Sequence, residues 1–154
     1  MHKASVTLED LPDLAVRWCA NLGLKVDAHP EPSGDEELFP NRVVLDGPDA
    51  QWLLANKGQA LDALQFLLHE AQGDRDEGHL AHLDVQAFRL FRMKELKAMA
   101  AVAAQKARTL GSHSFSSLSP RERRWVHLVI AREQDLVTES EGTGTFKTLK
   151  VTRK

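Results

Sequence analysis

Arg123, Arg124 and His127 stand in the stretch Ser119-Pro120-Arg121-Glu122-Arg123-Arg124-Trp125-Val126-His127-Leu128, where Arg123 and His127 make an R-x-x-x-H spacing. On a helix, positions i and i+4 share a face about one turn apart. A guanidinium that can fork two phosphate oxygens would therefore sit beside an imidazole that can donate or accept a hydrogen bond. That is chemistry for holding a polyanion, and Arg121, Lys147 and Lys150 extend it. The spacing alone is short and recurs by chance in many helices, where it is a solvated or intramolecular pair.

Other constellations point less far. His79-x-x-His82 with Asp84 offers three metal-ligand types but no fourth ligand, so no metal is expected. Ser114, Ser116, Ser117 and Ser119 lack the Gly-x-Ser-x-Gly elbow and the Ser-x-x-Lys pairing that would activate a hydroxyl. No phosphate-binding P-loop is present, and the carboxylates of 35–37 and 74–77 read as solvated loops. No catalytic residue, cofactor or enzymatic activity is expected.

The net charge of −2 hides a division along the chain. Residues 1–84 hold 6 Lys+Arg against 16 Asp+Glu, whereas residues 85–154 hold 14 against 6. Polyphosphate is drawn to the second part and repelled by most of the first; the alternative use of such a dipole is attraction between the two parts. With 42% hydrophobic and 27% charged residues the composition is that of a globular protein. No run has the roughly eighteen apolar residues of a membrane span, and Glu9, Asp10 and Asp13 break any signal-peptide pattern, so a cytoplasmic location is expected. Cys19 is the single cysteine and falls in an apolar helical pattern, as a small core residue would.

The periodicities that must position these groups begin with a helix over 7–22, capped by Thr7 and ended at Gly23. A strand at 24–28 and another at 42–45 flank an acidic, Pro-containing loop. A short helix from Asp49 to Leu54, the hinge Ala55-Asn56-Lys57-Gly58, a longer helix and a strand at 82–85 follow. Then comes a long helix, 88–110, whose polar side collects Arg89, Arg92, Lys94, Lys97, Lys106 and Arg108 and which joins the two parts. A strand within 113–118, a helix from Pro120 to about Glu133 behind the cap Ser119, and a hairpin of 136–139 with 146–151 around Gly142-Thr143-Gly144 complete the chain.

The order helix, strand, strand, helix, tight loop, helix, strand resembles a type II KH domain, which clamps single-stranded backbone on a GxxG loop. Here that loop is Ala55-Asn56-Lys57-Gly58: a methyl replaces the first glycine and only Lys57 supplies charge. The stretches 58–67 (GQALDALQFL), 119–128 and 138–144 (TESEGTG) are similar to the bacterial Jag, or SpoIIIJ-associated, family, over most of residues 7–151. That family pairs a KH domain with an RxxxH (R-three-H) domain. The resemblance implies binding of single-stranded RNA, and by the same chemistry single-stranded DNA. It also implies links to cell elongation and division, a small partner KH protein and a membrane insertase. The sequence departs from the family at Ala55 and leaves no room before residue 7 for the additional N-terminal domain of many members, which limits the carry-over of insertase association.

The expected fold is thus α+β: a type II KH-like domain (α-β-β-α-α-β) over residues 5–86, then an RxxxH domain over 87–154 with a three-stranded sheet and two helices. Arg123, His127, Arg124, Arg121, Lys147 and Lys150 are the expected nucleic-acid contacts, with a weaker contribution from Asn56, Lys57 and Gly58. The competing reading is an adaptor whose KH-like half pairs with another KH protein or a membrane insertase, RNA being incidental; Trp52 and Leu53, near the loop, would serve it if exposed.

Overall fold

In the computed structural model, residues 6–73, 80–145 and 147–154 are described. The fold is α+β, with four helices and two small sheets. The chain divides into two compact units, Met1–Leu90 and Phe91–Lys154.

In the first unit, α1 (Leu11–Asn21) places Leu11, Ala15 and Cys19 inward. It begins four residues later than the Thr7 cap suggests. Pro12 is tolerated only in a first helical turn, and the Thr7 hydroxyl bonds the Asp10 carboxylate, 2.7 Å away, instead of capping. Burial pushes the Cys19 thiol pKa up.

Strands β1 (Asp27–Pro30) and β2 (Arg42–Asp46) pair antiparallel, His29 opposite Val44. β1 starts three residues beyond the expected strand because Lys25 is held by Asp49, whose carboxylate accepts from Lys25 N at 2.8 Å and whose N–H donates to Lys25 O. A 3-10 turn (Ala50–Leu54) leads into α2 (Ala55–Gln72), and β3 (His82–Asp84) then joins the sheet parallel to β2, giving the order β1-β2-β3. Leu45, Leu61, Leu68, Leu83 and Val85 form the centre of this unit's core with the inner face of α1.

The long helix α3 (Phe88–Leu110) begins in the first unit and continues in the second. The compact units divide at 90/91, within the first turn of α3, and Arg89 ties that turn to the first unit. Its side chain is 4% exposed and donates to Gln65 Oε1, the Leu83 carbonyl and Asp62 Oδ1. Beneath it, buried Asp84 accepts from Arg42 Nε at 3.0 Å and from the N–H groups of Val85, Arg89 and Leu90, so it satisfies amides at the start of α3.

In the second unit, β4 (Ser112–Phe115), β5 (Leu136–Glu141) and β6 (Thr148–Arg153) form an antiparallel sheet in the order β4-β6-β5. Helix α4 (Pro120–Ala131) opens on a complete capping box: Ser119 Oγ accepts from Glu122 N while the Glu122 carboxylate accepts from Ser119 N. Trp125, Val126 and Ile130 of α4 are buried, as are Phe115, Leu136, Leu149 and Val151 of the sheet. Phe146, expected in the last strand, lies outside the described residues, as does His79 of the His-x-x-His pair.

Candidate nucleic-acid interface

The capping box fixes where α4 starts, and so which way its side chains face. Arg123 and His127 fall one turn apart, with Arg121, Arg124 and His127 following one another at i, i+3. His127 is exposed, and its Nδ1 shares a hydrogen bond with Thr138 Oγ1 on β5. Arg123 is half-buried; its Nη1 donates to the Leu118 carbonyl at 3.0 Å and to the Thr145 carbonyl. Every one of these partners is a neutral oxygen. Among the described residues no carboxylate forms an ion pair with Arg123 or His127. Arg121 and Arg124 are half-buried on the same helix.

The two lysines are placed differently. Lys150 lies opposite Glu139, and Val151 lies opposite Thr138. Directly paired residues face the same side of a sheet and successive residues face opposite sides. Thr138 meets His127 of α4, and Val151 is fully buried beneath the helices. Lys150 therefore projects from the other side of the sheet, beside Ser114 and Glu139. Lys147 precedes β6 and is half-buried. The structure thus gathers Arg121, Arg123, Arg124 and His127 on α4 and leaves Lys150 apart.

The basic run expected on α3 is corrected. Arg89 is buried in the first unit as described. Arg92 is held by Glu122 at 2.6 Å and by Glu95 at 3.1 Å. Hydrogen bonding to Glu122 holds the Arg92 guanidinium above its ordinary pKa. Burial pushes the Glu122 carboxyl up, but the hydrogen bonds from Arg92 and from Ser119 N outweigh it, and its pKa stands below the usual value. Arg108 pairs with Asp135 at 2.8 Å and with Glu133 at 2.7 Å; Asp135 first and Glu133 second raise its pKa, and Arg108 in turn pulls Asp135 down to about 2. Arg89, Arg92 and Arg108 are thereby each compensated by a carboxylate far along the chain, which a local pattern cannot reveal.

At the hinge of the first unit, Asn56, Lys57 and Gly58 all have left-handed backbone, with φ of 53°, 60° and 80°. Asn56 and Lys57 are exposed. Gly58 is required twice over: its φ is positive, and a Cβ there would meet Phe88 Cε1 at 3.3 Å. Ala55 is extended, at φ −56° and ψ 146°, a conformation open to any residue. Trp52 is 61% exposed, whereas Leu53 is buried and cannot form part of an outward surface. His82 makes ring contacts with Phe39 and His69, and among the described residues no group of three or more His, Cys, Asp or Glu could hold a metal ion. No helix among them is long and apolar enough to cross a membrane.

Residues 94–153 match the R-three-H domain family. The chain is also 28% identical over 145 residues to the RNA-binding protein KhpB of Clostridium symbiosum, an alignment covering 90% of this chain and 64% of that relative. The chain thus spans a little under two-thirds of the relative's length.

Proposed function

We propose that the chain is an RNA-binding protein that contacts the backbone of single-stranded RNA mainly through its second unit, in post-transcriptional control tied to cell elongation and division. The same phosphate contacts would serve single-stranded DNA. The observation that carries this reading is that, among the described residues, Arg123 and His127 pair with neutral oxygens and no carboxylate compensates the Arg123 charge on α4. The unit around it holds 13 Lys+Arg against 6 Asp+Glu, a net of +7. Arg123, Arg124, Arg121 and His127 form the centre of the contact; Lys147, just ahead of β6, extends it, and Lys150, on the other face of the sheet, adds positive charge at longer range. The KhpB relative, itself an RNA-binding protein by name, supports the assignment.

The first unit is a type II KH-like domain in this reading. Its element order, with β2 and β3 parallel across a helical connection that contains the left-handed hinge, favours it. With 7 Lys+Arg against 16 Asp+Glu this unit repels phosphate, so Asn56, Lys57 and Gly58 add little. The test is fluorescence anisotropy of a labelled single-stranded RNA against wild type and Arg123→Ala over a salt series. Weaker binding with a salt slope reduced by about one is expected. Unchanged affinity and slope would overturn the role given to Arg123.

A second reading is favoured by the exposure of Trp52, Phe66 and Leu67 in the first unit. An adaptor that pairs with another KH protein or a membrane insertase would use such a surface. Retention of that partner from lysate stripped of RNA, with no retention of pooled cellular RNA, would establish the adaptor in place of the RNA-binding role.

A further inference from the structure

Between α3 and β4 the second unit carries a groove of about 520 Å³, lined chiefly by Met99, Val102, Lys106, His113, Ser114 and Phe115. It lies at the sheet edge opposite His127: β4 is one outer strand, and His127 contacts Thr138 on β5, the other. Two strand spacings, on the order of 10 Å, separate these edges.

One wall is apolar and open to solvent, with Met99 40% and Val102 53% exposed. The other presents the His113 imidazole, which meets Phe115 edge-on at 5.4 Å between centroids and an interplanar angle of 89°. Phe115 is itself buried, so the imidazole is braced against a fixed ring. Beside it are the exposed Ser114 and the backbone edge of β4, which among the described residues pairs with β6 alone. Lys106 is exposed at the rim.

An imidazole and a thioether lining one groove, with a hydroxyl, a strand edge and a cation beside them, supply what an unstacked nucleobase requires: stacking for its face, hydrogen bonds for its edge and a counter-charge for its phosphate. An extended peptide added to β4 would use the strand edge but would gain nothing from the unit's net charge of +7, which favours a polyanion. We infer that this groove takes one unstacked base of the single strand whose phosphates meet α4, so that the R-x-x-x-H helix and the α3–β4 groove hold two points of one ligand. The inference rests on the RNA-binding reading above.

The test uses the full chain and a random-sequence RNA pool of about 12 nucleotides carrying 4-thiouridine. After irradiation, crosslinked peptides are mapped, and affinities are measured for wild type, His113→Ala and the groove-filling Val102→Trp, each checked for an unchanged circular dichroism spectrum. Adducts within 98–118 and a loss of roughly 5- to 100-fold in both variants, at an unchanged salt slope, are expected. Adducts confined to α4, with both variants binding as wild type, would overturn the groove assignment while leaving the RNA-binding reading intact. Failure of the wild-type chain to bind the pool at all would overturn both. Chemical-shift changes along β4 with an extended peptide, and none with RNA, would give the groove to a peptide.

Discussion

Arg123 on α4 reaches the backbone carbonyl of Thr145, 22 residues further along, on the turn that joins β5 to β6. The same Nη1 also holds the Leu118 carbonyl ahead of the helix. One guanidinium therefore fastens two chain segments beside the surface it charges, and its Nε and Nη2 make no hydrogen bond among the described residues. A phosphate would find the side chain already immobilised, which lowers the ordering cost of contact.

The clamp is two donations from one Nη1, whereas the charge spreads over the whole guanidinium, so Arg123→Lys and Arg123→Ala should separate them. Lysine keeps the charge, but its side chain is one bond shorter, so its ammonium does not reach the position from which Nη1 meets both carbonyls. Arg123→Lys is expected to retain most of the salt slope while lowering the melting temperature of the second unit, by several degrees if about 1 kcal/mol is lost. Arg123→Ala is expected to lose both. A lysine variant with wild-type melting and a collapsed slope would show that the backbone contacts are incidental. The readouts are a calorimetric scan and a salt titration of RNA affinity.

Glu122 joins the capping box of α4 to Arg92 of α3, and its pKa lies below the ordinary carboxyl value of 4.5. A carboxyl depressed on folding stabilises the native state above its unfolded pKa, and that stabilisation disappears as pH falls through the folded value. The second unit should therefore lose stability below about pH 4.5, with Glu122→Gln flattening that dependence and costing about 1 kcal/mol at neutral pH. Urea midpoints at pH 7 and pH 3, followed through buried Trp125, check this. Equal acid sensitivity in both proteins would place the titrating group elsewhere.

In the first unit the buried Arg42–Asp84 pair is the corresponding point of weakness. Asp84 is fully buried and Arg42 is 4% exposed, so removing the carboxylate leaves the buried guanidinium with the longer, half-exposed pair to Glu31 at 3.4 Å and takes the acceptor from the amides of Arg89 and Leu90. Asp84→Ala is expected to cost about 3–5 kcal/mol. Replacing both partners by apolar residues of similar volume should restore part of it. Denaturant unfolding followed by Trp18 fluorescence measures both, and a loss under about 1 kcal/mol would refute the assignment.

What was legible in the sequence was what neighbouring residues decide. Ser119 and Pro120 announced the start of α4 through capping chemistry confined to two adjacent positions, and that start fixes Arg123 and His127 one turn apart. What was not legible depended on partners far along the chain. Arg89, Arg92 and Arg108 read as one solvated basic stripe, yet each has an acceptor 24 to 30 residues away, on α2 or on the segments around α4. Lys150 joined the expected contact set by proximity in sequence, and only the register Glu139↔Lys150 shows which side of the sheet it takes. The α3–β4 groove escaped notice for the same reason: Met99, Val102 and His113 belong to elements whose packing no periodicity specifies.

Ala55 offers the last test, because it is the residue by which the hinge departs from a GxxG loop. Its backbone is extended, so glycine is not needed there for conformation and the methyl group is the whole difference. Ala55→Gly would open close approach to the amides of Asn56 and Lys57, at a stability cost of about 0.5–1 kcal/mol from added chain entropy. The surrounding unit bears 7 cationic against 16 anionic side chains, and repulsion of a polyanion there does not depend on one methyl. RNA affinity is therefore expected to change by less than about twofold, with the salt slope unaltered. A clear gain, abolished by adding Lys57→Ala, would show that steric closure of the hinge, and not the charge of the unit, keeps phosphate away.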